Sequence, residues 1–176
     1  MKLKKWFKKE EKKEYKTGIA FGGGGTKGFA HLGVLKAFEE NGITFDEVAG
    51  TSVGSLVGAM YAFGLSSDEM LKMAKSIKAS EIRNSKLFFV PSKTDGIESL
   101  VKNSIGDAYF EDMKKPLTVV AVDLISSKEV HITKGNVAKA VTGSCAVPGV
   151  FNPVDFGEYR LADGGLQNTI PADVLR

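Results

Sequence analysis

The chain has 176 residues, 43% hydrophobic and 26% charged, with a formal net charge of +3. Such a length and composition suit one globular domain with room for a proper core, and exclude a fibrous or disordered class. The charge is unevenly spread: "MKLKKWFKKEEKKEYK" (1–16) carries a net +5, which leaves −2 for the other 160 residues. This tail has no apolar core of the kind a signal peptide needs, and no run in the chain is apolar for long enough to span a bilayer. With Trp6 and Phe7 among lysines it suits an anionic membrane surface, although a solvated terminus has the same composition. Nucleic acid is not expected as a partner, because the basic residues do not continue onto the body. One cysteine, Cys145, excludes an internal disulfide and fits a reducing cytoplasm, where it serves as a small buried filler.

In chain order, "TGIAF" (17–21) has the bias of a buried strand, and it runs into four consecutive glycines, Gly22 to Gly25. Phe29, Leu32, Leu35 and Phe38 then recur at helical spacing between Thr26 and Asn41. "FDEVAG" (45–50) is a second expected strand and "SVGSLVGAMYAFG" (52–64) a helix apolar around most of its girth. A third helix is expected from Ser66 or Ser67 to about Lys78, and residues 79–95, with Leu87, Phe88 and Phe89, lack periodicity and suggest a loop or lid-like excursion. "DGIESLVKNSIG" (95–106) is helical in pattern. "PLTVVAVDLIS" (116–126) is a β run with "KEVHIT" (128–133) as its hairpin partner. "NVAKAVTGSCA" (136–146) is a short helix, "EYRLADGG" (158–165) a strand ending in a glycine turn, and "NTIPADVLR" (168–176) the opening of another helix. Strands alternating with helices predict an α/β layered fold around a mainly parallel central sheet.

The glycine run is costly in backbone entropy, which focuses attention on what it approaches. Gly23, Gly25 and Gly28 have the G-x-G-x-x-G spacing of a dinucleotide loop, but the acidic residue that should close the next strand is absent. A phosphate-binding P-loop requires Gly-Lys-Ser/Thr, and the chain has Thr26-Lys27-Gly28. The third use is an oxyanion hole, in which backbone N–H groups at a helix N-terminus face a developing negative oxygen. That use calls for a nucleophile, and "GTSVG" (Gly50 to Gly54) places Ser52 on a strand–turn–helix elbow. A serine needs a base. His31 precedes Ser52 on a helix and His131 lies within a strand, so neither has the placement of a hydrolase histidine. Asp163, where a strand meets Gly164 and Gly165, is the better candidate, although Asp-Gly is also an ordinary turn dipeptide.

"GGGGTKG", "GTSVG" and "DGG" in this order, with "FAHLGVL" after the first and "SCAVPGVFNPV" (144–154) before the last, resemble the patatin-like phospholipase family. The likeness covers residues 17–173, with Lys27 matching the family's basic residue and Gly22 standing where many members have Asp, as in bacterial members. The resemblance implies a three-layer α/β/α fold and a serine lipid acyl hydrolase in which Ser52 is the nucleophile and Asp163 the base. Gly23, Gly24 and Gly25 form the oxyanion hole in this picture, and no metal or cofactor takes part. Gly28, Gly50, Gly54, Gly164 and Gly165 are motif glycines, while Asp123 and Lys27 are structural or positioning residues. The expected substrate is a lipid or phospholipid and the expected location the cytoplasm, with membrane contact through residues 1–16. Two other readings stay open: a soluble carboxylesterase or thioesterase with the same pair, and a nucleotide-phosphate-binding module. The expected domain spans 17–176, and the closing residues suggest that its C-terminal part continues beyond them.

Overall fold

The computed structural model describes residues 17–76 and 95–175. The basic tail and the expected excursion at 79–95, apart from Asp95, lie outside the described residues; Asp95 opens a helix. Six strands form one sheet: β1 (Gly18–Phe21), β2 (Glu47–Thr51), β3 (Leu117–Asp123), β4 (Lys128–Ile132), β5 (Val154–Phe156) and β6 (Tyr159–Asp163). The pairs β1–β2 and β2–β3 are parallel; β4 and β6 pair antiparallel with β3, and β5 antiparallel with β6. The sheet is therefore mixed, with β1, β2, β3 and β5 running in one direction.

The helices are α1 (Phe29–Glu40), α2 (Val53–Phe63), α3 (Ser67–Ser76), α4 (Asp95–Ile105) and α5 (Val137–Ser144). Helix α2 is buried around most of its girth, as its all-round apolar sequence demands. Its Gly58 lies so close to the sheet that an added Cβ would stand 3.1 Å from Val48 and 3.4 Å from Phe21, which identifies the face of β1 and β2 beneath it. Helix α5 packs on β3, β5 and β6 beside α2, and α4 packs against both helices. By strand alternation Gly18 and Thr51 point to the opposite face. There Leu175 fills the space beside Gly18, and Thr51 Oγ1 donates to the Asn168 carbonyl at 2.9 Å. Residues 164–175, with two short 3₁₀ turns, thus form the layer on that side, where the sequence suggests only the start of a helix.

Two further departures from the sequence pattern have local causes. The expected helix from Thr26 begins as a 3₁₀ turn over Gly25–Gly28, because Gly28 must sit against Val53; an added Cβ there would lie 2.3 Å from a valine methyl. The strand expected to reach Ser126 stops at Asp123, whose carboxylate accepts from Ile125 N at 3.2 Å and from Ser126 N and Oγ at 2.9 and 2.6 Å. An Asp bonding its own backbone two and three residues ahead turns the chain, and here it opens the β3–β4 hairpin. The Ser126 hydroxyl, with the Arg160 N–H, holds this carboxyl well below the ordinary aspartate range.

Candidate active site

The sheet topology brings two distant chain segments end to end. Strand β4 pairs with β3 over Val119–Asp123 and so takes one of its two edges. The other edge is shared: β2 pairs with Leu117–Val120, while β6, arriving from the opposite direction, pairs with Ala121–Asp123. The C-terminal ends of β2 and β6 therefore meet head-on between Val120 and Ala121. Ser52 follows one end and Asp163 is the other, 111 residues apart in sequence, and the Ser52 hydroxyl donates to Asp163 Oδ2 at 2.7 Å.

Ser52 occupies a backbone conformation that L-residues avoid, with φ 53° and ψ −129°. Such a residue costs on the order of 1–3 kcal/mol and persists only where its surroundings hold it there. Its carbonyl accepts the Ser55 N–H at 2.8 Å and the Ser55 hydroxyl at 2.7 Å, so the first turn of α2 grips it from one side. The glycines of "GTSVG" allow the elbow to close: a Cβ on Gly50 would stand 2.6 Å from the Gly54 carbonyl oxygen, and one on Gly54 would stand 2.1 Å from the Phe21 carbonyl oxygen.

Asp163 is buried, and its second carboxylate oxygen accepts the Gly165 N–H at 2.7 Å. Burial raises its pKa above the ordinary aspartate value, with the bonds from Ser52 and Gly165 pulling the other way. A carboxylate made more basic while it accepts the proton of a serine hydroxyl is the arrangement general-base catalysis requires. The "DGG" turn is also fixed by contact, since a Cβ on Gly164 would lie 2.3 Å from the Val120 carbonyl oxygen. Neither histidine competes for the serine. His31 donates from Nε2 to the Gly22 carbonyl at 2.9 Å, and His131 pairs with Glu129 on β4 at 2.6 Å.

The glycine loop borders the same cleft, with one change from expectation. The Gly23 N–H donates to the Thr169 carbonyl at 2.9 Å, so this amide is not a free donor for an oxyanion. Thr169 lies 146 residues further on, and nothing in the loop's own sequence announces it. Gly24 and Gly25, with φ 153° and 55°, adopt backbone shapes suited to glycine. At the start of a 3₁₀ turn their N–H groups have no partner within the turn, and none among the described residues elsewhere. The cleft holds about 350 Å³ and is lined by Gly23, Gly24, Gly25, Ser52 and Asp163, with apolar walls from Val147 and Leu166. A second pocket of about 160 Å³ lies between α1, α2, α3 and α4; its walls, among them Leu32, Val53, Leu56 and Met70, are almost wholly apolar. Gly25 lines both.

Comparison with known proteins decides the family. A family model described as patatin-like phospholipase matches residues 19–176. The chain belongs to the patatin-like phospholipase family. It is 32% identical over 161 residues to an NTE family protein of Mycobacterium tuberculosis, a match that covers 90% of this chain and 28% of that protein. It is 37% identical over 170 residues to the lysophospholipase NTE1 of Mycosarcoma maydis, covering 90% of this chain and 9% of that one. In fold it is similar to VipD of Legionella pneumophila, with a TM-score of 0.55 and 17% identity over 86% of this chain and 46% of VipD. The chain therefore spans less than half the length of each of these relatives.

Proposed function

We propose that this patatin-like domain is a serine lipid acyl hydrolase of the phospholipase A or lysophospholipase kind, with Ser52 as nucleophile and Asp163 as its base. The observation that carries the reading is the 2.7 Å bond from the Ser52 hydroxyl to a buried carboxylate of raised pKa, at an elbow held in an unfavourable conformation. Ser52 Oγ attacks the ester carbonyl carbon as its proton passes to Asp163, and the resulting oxyanion is held by the Gly24 and Gly25 N–H groups. Collapse breaks the bond to the alcohol or lysophospholipid oxygen, which leaves with that proton. Water then attacks the acyl-serine and gives a proton to Asp163, and the fatty acid departs as Ser52 regains it. One backbone donor to an oxyanion is typically worth about 3 kcal/mol, so two well-placed glycine amides supply much of the barrier reduction.

The lipid part of the reading is supported by the apolar pocket that shares Gly25 with the cleft, since walls of this chemistry suit an acyl chain. The relative named as a lysophospholipase points the same way. No helix among the described residues is long and apolar enough to cross a membrane. The proposed contact with lipid is peripheral, through the lysine-rich tail with its Trp6 and Phe7. The test is hydrolysis of a lysophospholipid in micelles beside a short-chain soluble ester, in wild type and Ser52→Ala. Turnover of both by wild type and of neither by the variant supports the proposal. Turnover of the soluble ester alone indicates an esterase, and nucleotide binding without hydrolysis in either protein refutes the reading.

A further inference from the structure

We propose that Ser144 is a positioning residue for this reaction: its buried hydroxyl holds the backbone N–H of Ser52 and so keeps the nucleophile aimed at Asp163. The proposal rests on Ser52 being the nucleophile. The first turn of α2 grips only the carbonyl side of Ser52; the N–H on the other side has no partner in that turn and needs an acceptor of its own. That acceptor comes from 92 residues away, with Ser52 N donating to Ser144 Oγ at 2.8 Å. Ser144 is fully buried at the last turn of α5, and its hydroxyl in turn donates to the Val120 carbonyl at 2.6 Å. A hydroxyl has a single hydrogen, so giving it to Val120 turns a lone pair toward Ser52.

The anchor at the far end of this relay is where the site is assembled. Val120 is the last β3 residue paired with β2, and the next residue, Ala121, pairs with Asp163. The chain that follows Ser144 holds the other partner too, because the Ala146 carbonyl accepts the Asp163 N–H at 2.9 Å. Residues 144–146 thus touch the backbone of both reacting residues, one through a side chain and one through a carbonyl. The two contacts fix the separation across which the hydroxyl must reach the carboxylate. A Ser52 freed from Ser144 could rotate its preceding peptide toward an ordinary backbone conformation, which would swing Oγ off Asp163.

The test compares Ser144→Ala with Thr142→Val. Thr142 is equally buried one half-turn earlier, and its hydroxyl bonds only the Ala138 carbonyl of its own helix at 2.7 Å. Three readouts are taken on each folded protein: the melting temperature, the split of kcat from KM on an ester substrate, and the rate at which a fluorophosphonate labels Ser52. Because misplacing a reacting group by about 1 Å can cost about 100-fold, we expect Ser144→Ala to lose at least about tenfold in kcat and in labelling rate, with KM little changed. Thr142→Val should keep wild-type kinetics despite a comparable loss of stability. Equal kinetic losses in the two variants, or wild-type labelling in Ser144→Ala, would overturn the role. If Ser144→Ala fails to fold, Ser144→Cys decides in its place, since it fills the same space with a poorer acceptor: slowed labelling supports the proposal and unchanged labelling overturns it. Absence of label on wild-type Ser52 would instead refute the hydrolase reading, and the positioning role with it.

Discussion

Adding one methyl group at Gly54 probes the site without touching a reacting atom. Its Cβ would lie 2.1 Å from the Phe21 carbonyl oxygen, 2.5 Å from the Phe21 carbonyl carbon and 2.6 Å from the Gly22 oxygen. All three are backbone atoms, so no side chain can swing away. Since carbon contacts are comfortable only near 3.5 Å, helix α2 and the strand that feeds the glycine loop must part by about 1 Å. Overpacking of this kind costs roughly 1–3 kcal/mol, and the rigid neighbours place Gly54→Ala at the upper end. For a domain of this size about 3 kcal/mol lowers the melting temperature by roughly 6–12 °C. The same displacement moves the Gly24 and Gly25 amides relative to Ser52, with an expected loss of about 100-fold in labelling rate. Gly33→Ala is the matched control, since the exposed Gly33 of α1 has no atom within 4 Å of an added Cβ. Alanine in a helix interior is better than glycine by about 0.5–1 kcal/mol, so this variant should melt slightly higher and label normally. Circular dichroism melts and timed labelling measure both effects. A Gly54→Ala protein that melts within about 2 °C of wild type and labels at the same rate would refute the packing argument.

Asp163→Asn should abolish hydrolysis yet stabilise the fold at neutral pH, as expected where a site is kept at a cost to stability. The sign follows from the raised pKa: between the ordinary aspartate value, about 3.9, and the higher native value, only the native state holds the proton. Wild-type stability therefore falls as pH rises through that window and stays lower above it. The variant's advantage in urea melts should be absent below pH 4 and grow with pH; an advantage that shrinks with pH would contradict the assignment. For Cys145, burial pushes the thiol up to about 12, so at pH 8 the native protein should resist iodoacetamide and react only when unfolded. Stoichiometric alkylation of the native protein would show that the segment holding Asp163 opens readily.

The elements and residues legible in the sequence are those whose causes are local. The glycine run, the "GTSVG" elbow and the "DGG" turn declare themselves because close backbone approach admits only glycine, and a periodic apolar face marks α1. What escaped the sequence depends on long-range contact. The commitment of the Gly23 amide to Thr169 follows from how residues 164–175 lie on the sheet. The partnership of Ser144 with Ser52 follows from α5 crossing β3, across 92 residues of chain. Strand β5, three residues between the "SCAVPGVF" segment and a Gly157 turn at φ 59°, is too short for an alternating pattern to register and exists by pairing with β6. The residues proposed for the site could thus be picked out from pattern, while the atoms that hold them could not.

The central claim is that Ser52 is an activated nucleophile and that Asp163 activates it. Treatment of the purified protein with a fluorophosphonate, followed by mass-spectrometric location of the adduct, tests this directly. One adduct is expected, on Ser52, and it should be lost in a folded Asp163→Asn variant. Label on another residue, or label on Ser52 that persists at the wild-type rate without the Asp163 carboxylate, would contradict it.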